Sequence, residues 1–200
     1  ADDDEGAPRT VGGRPALIWH VHPPRRNRNM GRINAISDDA STAVALTIRE
    51  IIDRRGAMNI DCGALDDQPW IATDETPIEL ASDWVNPGVR PDELAIIQYT
   101  SGSTGSPKGV MLTQSNVLAN CRYIALGFQI SWEEVGCCWL PVYHDMGLIG
   151  GLIVSMYCGV ASVLMAPVNF LSRPVRWLQA ISKYQAAIAG GPNFAFGLCC

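Results

Sequence analysis

The sequence predicts an α/β fold, with mostly parallel sheets flanked by helices. Three observations carry this. Helix-spaced and strand-like segments alternate along most of the chain, the pattern that successive βαβ units leave in a sequence. Several strand candidates read as short continuous apolar runs, as strands covered on both faces do. Hydrophobic residues make up 48% of the 200, which is enough to furnish a substantial core.

The elements follow in order. Met30, Ile33 and Ile36 have helical spacing and lead to Thr42–Ile48, which reads as a strand, and to a short helix around Glu50–Arg55. Cys62–Glu93 is rich in Asp, Pro and turn residues, with apolar anchors at Trp70, Ile71 and Trp84. It reads as an irregular connection and a subdomain boundary. This divides the chain into a first stretch 1–22, an α/β portion 23–93 and a second portion 94–200. Leu94–Tyr99 is a buried-strand candidate that runs into a loop of glycines and hydroxyls, after which Val110–Thr113 is extended again. Ser115 or Asn116 is placed to cap a helix reaching about Leu126, with Val117, Leu118, Cys121, Ile124 and Ala125 on its apolar face.

From Met146 to Ser172 no residue is charged, a length that passes the crude test for a membrane span. Gly147, Gly150, Gly151, Gly159 and Pro167 interrupt the run, and Val160–Ala166 has a β-branched look. A buried helix followed by a buried strand is therefore expected, with no membrane span. Pro174 suits a first helical turn, and Trp177, Ile181 and Tyr184 share one helix face. Ala186–Ala189 returns as a strand, and Gly190, Gly191 and Pro192 turn the chain.

Composition excludes some functions. A net charge of −5 argues against nucleic acid as a partner, which calls for a basic surface. The one dense basic cluster, Arg25, Arg26, Arg28 and Arg32, lacks interleaved aromatic residues and reads as a solvated loop. The seven cysteines include two adjacent pairs, Cys137–Cys138 and Cys199–Cys200, a spacing that suits a reducing compartment better than a disulfide framework. His20 and His22 make a weak metal signal without C-x-x-C spacing. Asp2, Asp3, Asp4 and Glu5 stand where a secretory leader carries basic residues, so a cytoplasmic location is expected. The chain starts without Met and stops in an apolar stretch at Leu198, Cys199 and Cys200, and it is read as a fragment.

The loop Tyr99–Gly109 reads YTSGSTGSPKG, and its composition suits a polyphosphate. Gly102, Gly105 and Gly109 tolerate unusual dihedrals and let amide N–H groups approach anionic oxygens. Thr100, Ser101, Ser103 and Thr104 add hydroxyl donors, and Lys108 adds a charge able to offset that of a departing pyrophosphate. The spacing is neither that of a Walker A loop nor that of a nucleophile elbow. A flexible Ser/Gly linker fits the composition alone, but not a loop placed directly between two apolar strands.

This loop resembles the phosphate-binding signature of adenylate-forming enzymes. PPRRNRN (23–29), PWIATDE (69–75), LPVYHDMGLIGG (140–151), RPVRWLQAISKY (173–184) and GGPNFAF (190–196) narrow the resemblance to fatty acyl-AMP ligases. It implies part of the large N-terminal domain of such an enzyme. The implied reaction activates a fatty acid with ATP, assisted by Mg²⁺, to acyl-adenylate and pyrophosphate, and then passes the acyl group to an acyl carrier protein thiol. An acyl-CoA synthetase of the same superfamily, or a non-catalytic nucleotide-binding module, is the alternative.

The resemblance further implies that Thr100–Gly109 hold the β- and γ-phosphates and that Thr100 touches the metal. It puts His144 beside the substrate carboxylate, and Gly190, Gly191, Pro192 and Asn193 along the acyl-adenylate. Met146, Leu148, Ile149 and Ile153 border an acyl tunnel in this reading, with a plain core role as the alternative. Lys108 and His144 are the catalytic candidates. The family's downstream acidic motif, ribose-binding Asp and C-terminal lysine fall outside these residues, so the fragment alone is expected to be inactive. Gly12–Val21, with Trp19 and His20, departs from the smooth apolar strand expected before Pro23.

Overall fold

The computed structural model describes residues 16–18, 31–58, 61–100 and 108–200. The chain forms two compact units, Ala1–Ser115 and Asn116–Cys200.

In the first unit, β1 (Ala16–Ile18), β2 (Val44–Thr47) and β3 (Trp70–Ala72) form a parallel sheet in that order. Ala45 lies opposite Leu17 on one side and Trp70 on the other. A strand thus forms inside the stretch expected to depart from one. Helices α1 (Gly31–Asp39) and α2 (Arg49–Met58) flank β2 in sequence, as the spacing predicts, while Met30 and the 23–29 segment lie outside the described residues. β3 corrects the reading of 62–93 as wholly irregular, because three residues between 3₁₀ turns are too few to leave a period. Trp70 packs with Ile33 on the core of Ala45, Cys62 and Leu65, its indole Nε1–H donating to the Leu65 carbonyl at 2.9 Å under the Arg55 guanidinium. Ile71 and Trp84 are not anchors. Ile71 faces out by strand alternation, and Trp84 is 71% exposed. The PWIATDE segment ties back to α2, where Asp74 Oδ1 accepts from the first amide, Arg49 N, at 2.9 Å and Glu75 pairs with the Arg49 guanidinium.

The first unit also contains an antiparallel hairpin, β4 (Leu94–Thr100) with β5 (Lys108–Thr113). β4 is half-buried rather than buried, since among the described residues only β5 pairs with it. The next helix, α3 (Gln114–Gly127), starts before the expected caps, because Gln114 N and Ser115 N donate instead to the carbonyls of Glu93 and Pro91, at 2.9 and 2.8 Å. Those bonds close the base of the hairpin, which belongs to the first compact unit.

In the second unit, β6 (Val135–Cys138) is the centre of a parallel sheet ordered β7-β6-β8, with β7 Ala161–Leu164 and β8 Ile188–Ala189. Between β6 and β7 the chain runs through a π-helical segment, Met146–Ile153, into α4 (Val154–Cys158). This is the expected helix and then strand, except that β7 is an edge strand with exposed ends. Gly159 ends α4 at a φ of 69°, a left-handed position that glycine fills without strain. α5 (Pro167–Ser172) and α6 (Val175–Tyr184) follow, and α7 (Asn193–Cys199) closes the unit, a helix that the sequence reading did not anticipate. Trp139, Phe170 and Trp177 build the core with Cys137 and Ala195. Trp139 stacks on Phe170 with centroids 3.9 Å apart, and Trp177 meets both edge-on. On α6, Trp177 is buried as expected, whereas Tyr184 is exposed.

All seven cysteines are free. Among the described residues no helix is long and apolar enough to cross a membrane.

Candidate active site

The hairpin presents the phosphate-loop candidate. Its last ladder pairs are Tyr99 with Gly109 and Thr100 with Lys108. Directly opposed residues of an antiparallel pair sit about 5 Å apart, so the ladder brings Thr100 and Lys108 together at the base of the loop. Both are exposed. Among the described residues Lys108 has no ion-pair partner. Ser101, Gly102, Ser103, Thr104 and Gly105 lie outside the described residues.

Gly109 also has a packing role that composition does not suggest. Among the described residues the glycines at positive φ are Gly63, Gly88 and Gly159, whereas Gly109 is extended within β5. A Cβ there would stand 2.8 Å from Ile97 Cγ2 and 3.1 Å from Tyr99 Cζ. The absent side chain leaves room for Ile97 and for the Tyr99 ring on the facing strand. The Tyr99 hydroxyl donates to Asp39 Oδ2 at 2.5 Å, and its pKa is pushed up to about 12 by burial first, then by that bond and the Asp39 charge. The tyrosine next to the loop is thereby tied to the end of α1.

The second candidate region follows β6. Pro141–His144 turns the chain, with His144 N donating to the Pro141 carbonyl at 3.0 Å. The His144 side chain is 64% exposed, and its Nδ1 lies 2.6 Å from Asp145 Oδ1. Met146 N is 2.6 Å from the same carboxylate oxygen and 3.3 Å from Nδ1. Nδ1 cannot both donate and accept, and the two shorter distances select the arrangement in which Nδ1–H and Met146 N–H both donate to Asp145. Nε2 is then an acceptor in the neutral ring and a donor once a second proton is bound.

The π-helical segment lies close on β6. A Cβ on Gly147 would meet the Pro141 carbonyl oxygen at 2.2 Å, and one on Gly151 would meet Cys138 Sγ at 2.5 Å. The Gly151 carbonyl accepts from Ser155 and Ser162 hydroxyls at 3.1 and 3.3 Å, so it is satisfied although the helix is widened there.

Between α3, the sheet and this segment lies an apolar cleft of about 440 Å³, with Ile124, Phe128, Cys138, Ile149, Gly150 and Gly190 in its lining. That volume suits a small-molecule site, commonly about 300–1,000 Å³. Met146 and Ile149 are in its lining, and Leu148 and Ile153 are not. Gly190 reaches the cleft alongside Asp145, whereas His144, Gly191, Pro192 and Asn193 are not in the lining. Gly191 backs onto the Trp139 indole, whose Nε1 would lie 3.3 Å from a Cβ there, and Pro192 and Asn193 start α7. Phe128 and Cys138 were not foreseen as site residues, and Ile124 was read only as part of a helix face. Hydrophobic spacing marks burial without saying whether the neighbour is protein or an open space.

The AMP-binding enzyme model matches residues 29–198. The chain belongs to the AMP-binding enzyme family. Among AMP-binding relatives it is 38% identical, over 88% of its length, to a medium-chain-fatty-acid–[acyl-carrier-protein] ligase of Moorena producens, covering 30% of that protein. A ligase of the same description from Teredinibacter turnerae is 45% identical over 58% of this chain and 18% of its own. A fatty acyl-adenylate ligase of L. pneumophila, solved with acyl adenylate and pyrophosphate, superimposes with a TM-score of 0.79 at 32% identity, over 91% of this chain and 31% of that one. The fold is therefore that of the adenylate-forming enzymes, of which this chain spans about 30%.

Proposed function

We propose that the full-length protein is a fatty acyl-AMP ligase. A carboxylate oxygen of the fatty acid attacks the α-phosphorus of ATP, the bond from that phosphorus to the bridging oxygen breaks, and pyrophosphate leaves. A carrier-protein thiol then attacks the acyl carbon and releases AMP. The observation that carries this reading is the apolar cleft, with Gly190 and Asp145 on its wall, in a chain of the AMP-binding family.

The obstacle is repulsion between a carboxylate and a polyphosphate, so positioning and charge stabilisation do most of the work. Thr100, Ser101, Gly102, Ser103, Thr104, Gly105 and Gly109 hold the β- and γ-phosphates in this proposal, and Lys108 offsets the charge on the leaving pyrophosphate. His144 meets the substrate carboxylate through Nε2, held in orientation by Asp145. Gly190, Gly191, Pro192 and Asn193 give room to the acyl-adenylate, and Met146 and Ile149 border the alkyl chain.

Mg²⁺ fits the donor chemistry. It retains waters and phosphate oxygens, and in phosphate-binding loops a Ser or Thr hydroxyl is among its few protein ligands. The exposed Thr100 hydroxyl suits that role, and no cluster of three His, Cys, Asp or Glu among the described residues offers an all-protein cage. When bound, the ion neutralises phosphate charge.

The test supplies full-length protein with ATP, MgCl₂ and a fatty acid, and reads pyrophosphate release and acyl-AMP by mass spectrometry. Acyl-AMP that is consumed by a phosphopantetheinylated carrier protein and not by coenzyme A is expected. Absence of acyl-AMP refutes the activity, and a coenzyme A thioester refutes the acceptor.

A further inference from the structure

The glycines of the π-helical segment differ in what holds them as glycine. Gly147 and Gly151 are pressed against the Pro141 carbonyl and the Cys138 thiol, where a Cβ would collide. Gly150 is in the cleft lining, yet a Cβ there has no heavy atom within 4 Å. Packing does not demand glycine at this position, and glycine in a helix interior is destabilising relative to alanine. Its missing side chain leaves open space at an exposed position of the cleft lining, in a helical geometry that often accompanies functional sites.

We propose that Gly150 is a specificity-determining residue, whose absent side chain keeps open the part of the cleft that admits the longer alkyl chains. The proposal rests on the fatty acyl-AMP ligase reading. Ile124, Phe128 and Ile149 supply other parts of the apolar lining, so a side chain grown from position 150 competes with hydrocarbon for the same volume. Its effect grows with the length of the acid.

The experiment uses the full-length protein, its Gly150→Ala and Gly150→Leu variants, ATP, MgCl₂ and straight-chain saturated fatty acids of graded length, with acyl-AMP quantified for each. The ratio of kcat/KM for long over short acids is expected to fall about tenfold or more in Gly150→Leu, the scale at which one methylene of misfit discriminates. Gly150→Ala is expected to shift the ratio in the same direction by less. Thermal melting of each variant accompanies the assay, and if Gly150→Leu fails to fold, the Gly150→Ala ratio decides. An unchanged ratio, or an equal loss at every length, overturns the role of Gly150 and leaves the ligase reading intact. A wild-type protein that adenylates no fatty acid of any length overturns both.

Discussion

Strands β4 and β5 end in a polar loop, whereas β6, β7 and β8 carry helices around an apolar cleft, and the two regions use glycine for different purposes. In the hairpin, Gly109 yields its side-chain space to Tyr99, and the ladder with the Tyr99–Asp39 bond holds the base of the loop. Around β6, Gly147 and Gly151 let backbone and thiol approach a helix directly. The hairpin is thus a scaffold whose exposed residues are free to serve a ligand. In the cleft region structure and lining partly overlap: Gly151 packs on Cys138 and also lines the cavity, whereas Gly150 lines it without a packing contact.

The sharpest way to break this contrast is Gly147→Ala. A methyl group 2.2 Å from a backbone carbonyl cannot be relieved by a rotamer, so the unfolding free energy of the full-length protein should drop by about 3 kcal/mol, read from the urea midpoint at constant slope. A drop under ~0.5 kcal/mol would mean that the segment shifts away easily. Lys108→Ala should do the reverse, leaving the melting temperature in place and lowering kcat/KM for pyrophosphate release about a hundredfold, as the loss of one charge-stabilising group does. An unchanged rate at subsaturating and saturating ATP would remove Lys108 from the chemistry.

The smallest effect belongs to Tyr99→Phe. Loss of the hydroxyl costs about 1 kcal/mol, the usual net value of one hydrogen bond. The pH dependence reports the raised pKa that burial and the Asp39 bond together produce. Because the folded tyrosine holds its proton more tightly than the unfolded one, with a pKa of about 12 against 10.0, its contribution is complete below pH 10.0 and is lost as pH rises toward 12. Stability followed by denaturation in alkaline buffers should fall more steeply in the wild type than in Tyr99→Phe. Parallel curves would show that neither burial nor the Asp39 bond holds that proton in place.

The hairpin was the most legible part of the sequence. A strand, a loop of glycine and hydroxyl residues and a second extended segment stand consecutively, so local chemistry alone sets their order. α1, β2, α2 and α6 were legible through spacing. β3 was missed because Trp70–Ala72 is too short for a period, and β6 because Val135–Cys138 contains a glycine and two cysteines in place of β-branched residues. α7 has Gly197 in its interior, which lowers its propensity, and it forms through Ala195 packing under Trp139 and Trp177. The π geometry at 146–153 answers to contacts with Pro141 and Cys138 that no local pattern records. At the candidate site, Met146, Ile149 and Gly190 were legible through the quoted family segments. Phe128 and Cys138 were not, because whether an apolar side chain faces protein or a cavity is decided by tertiary packing.

The most direct test of the account is a crystal structure of the full-length protein bound to a fatty acyl-adenylate. Hydrocarbon density is expected in the cleft beside Ile149 and Gly150, with the carboxyl end near Gly190. An alkyl chain lying elsewhere, with this cleft holding only water or filled by the protein's own side chains, would contradict it.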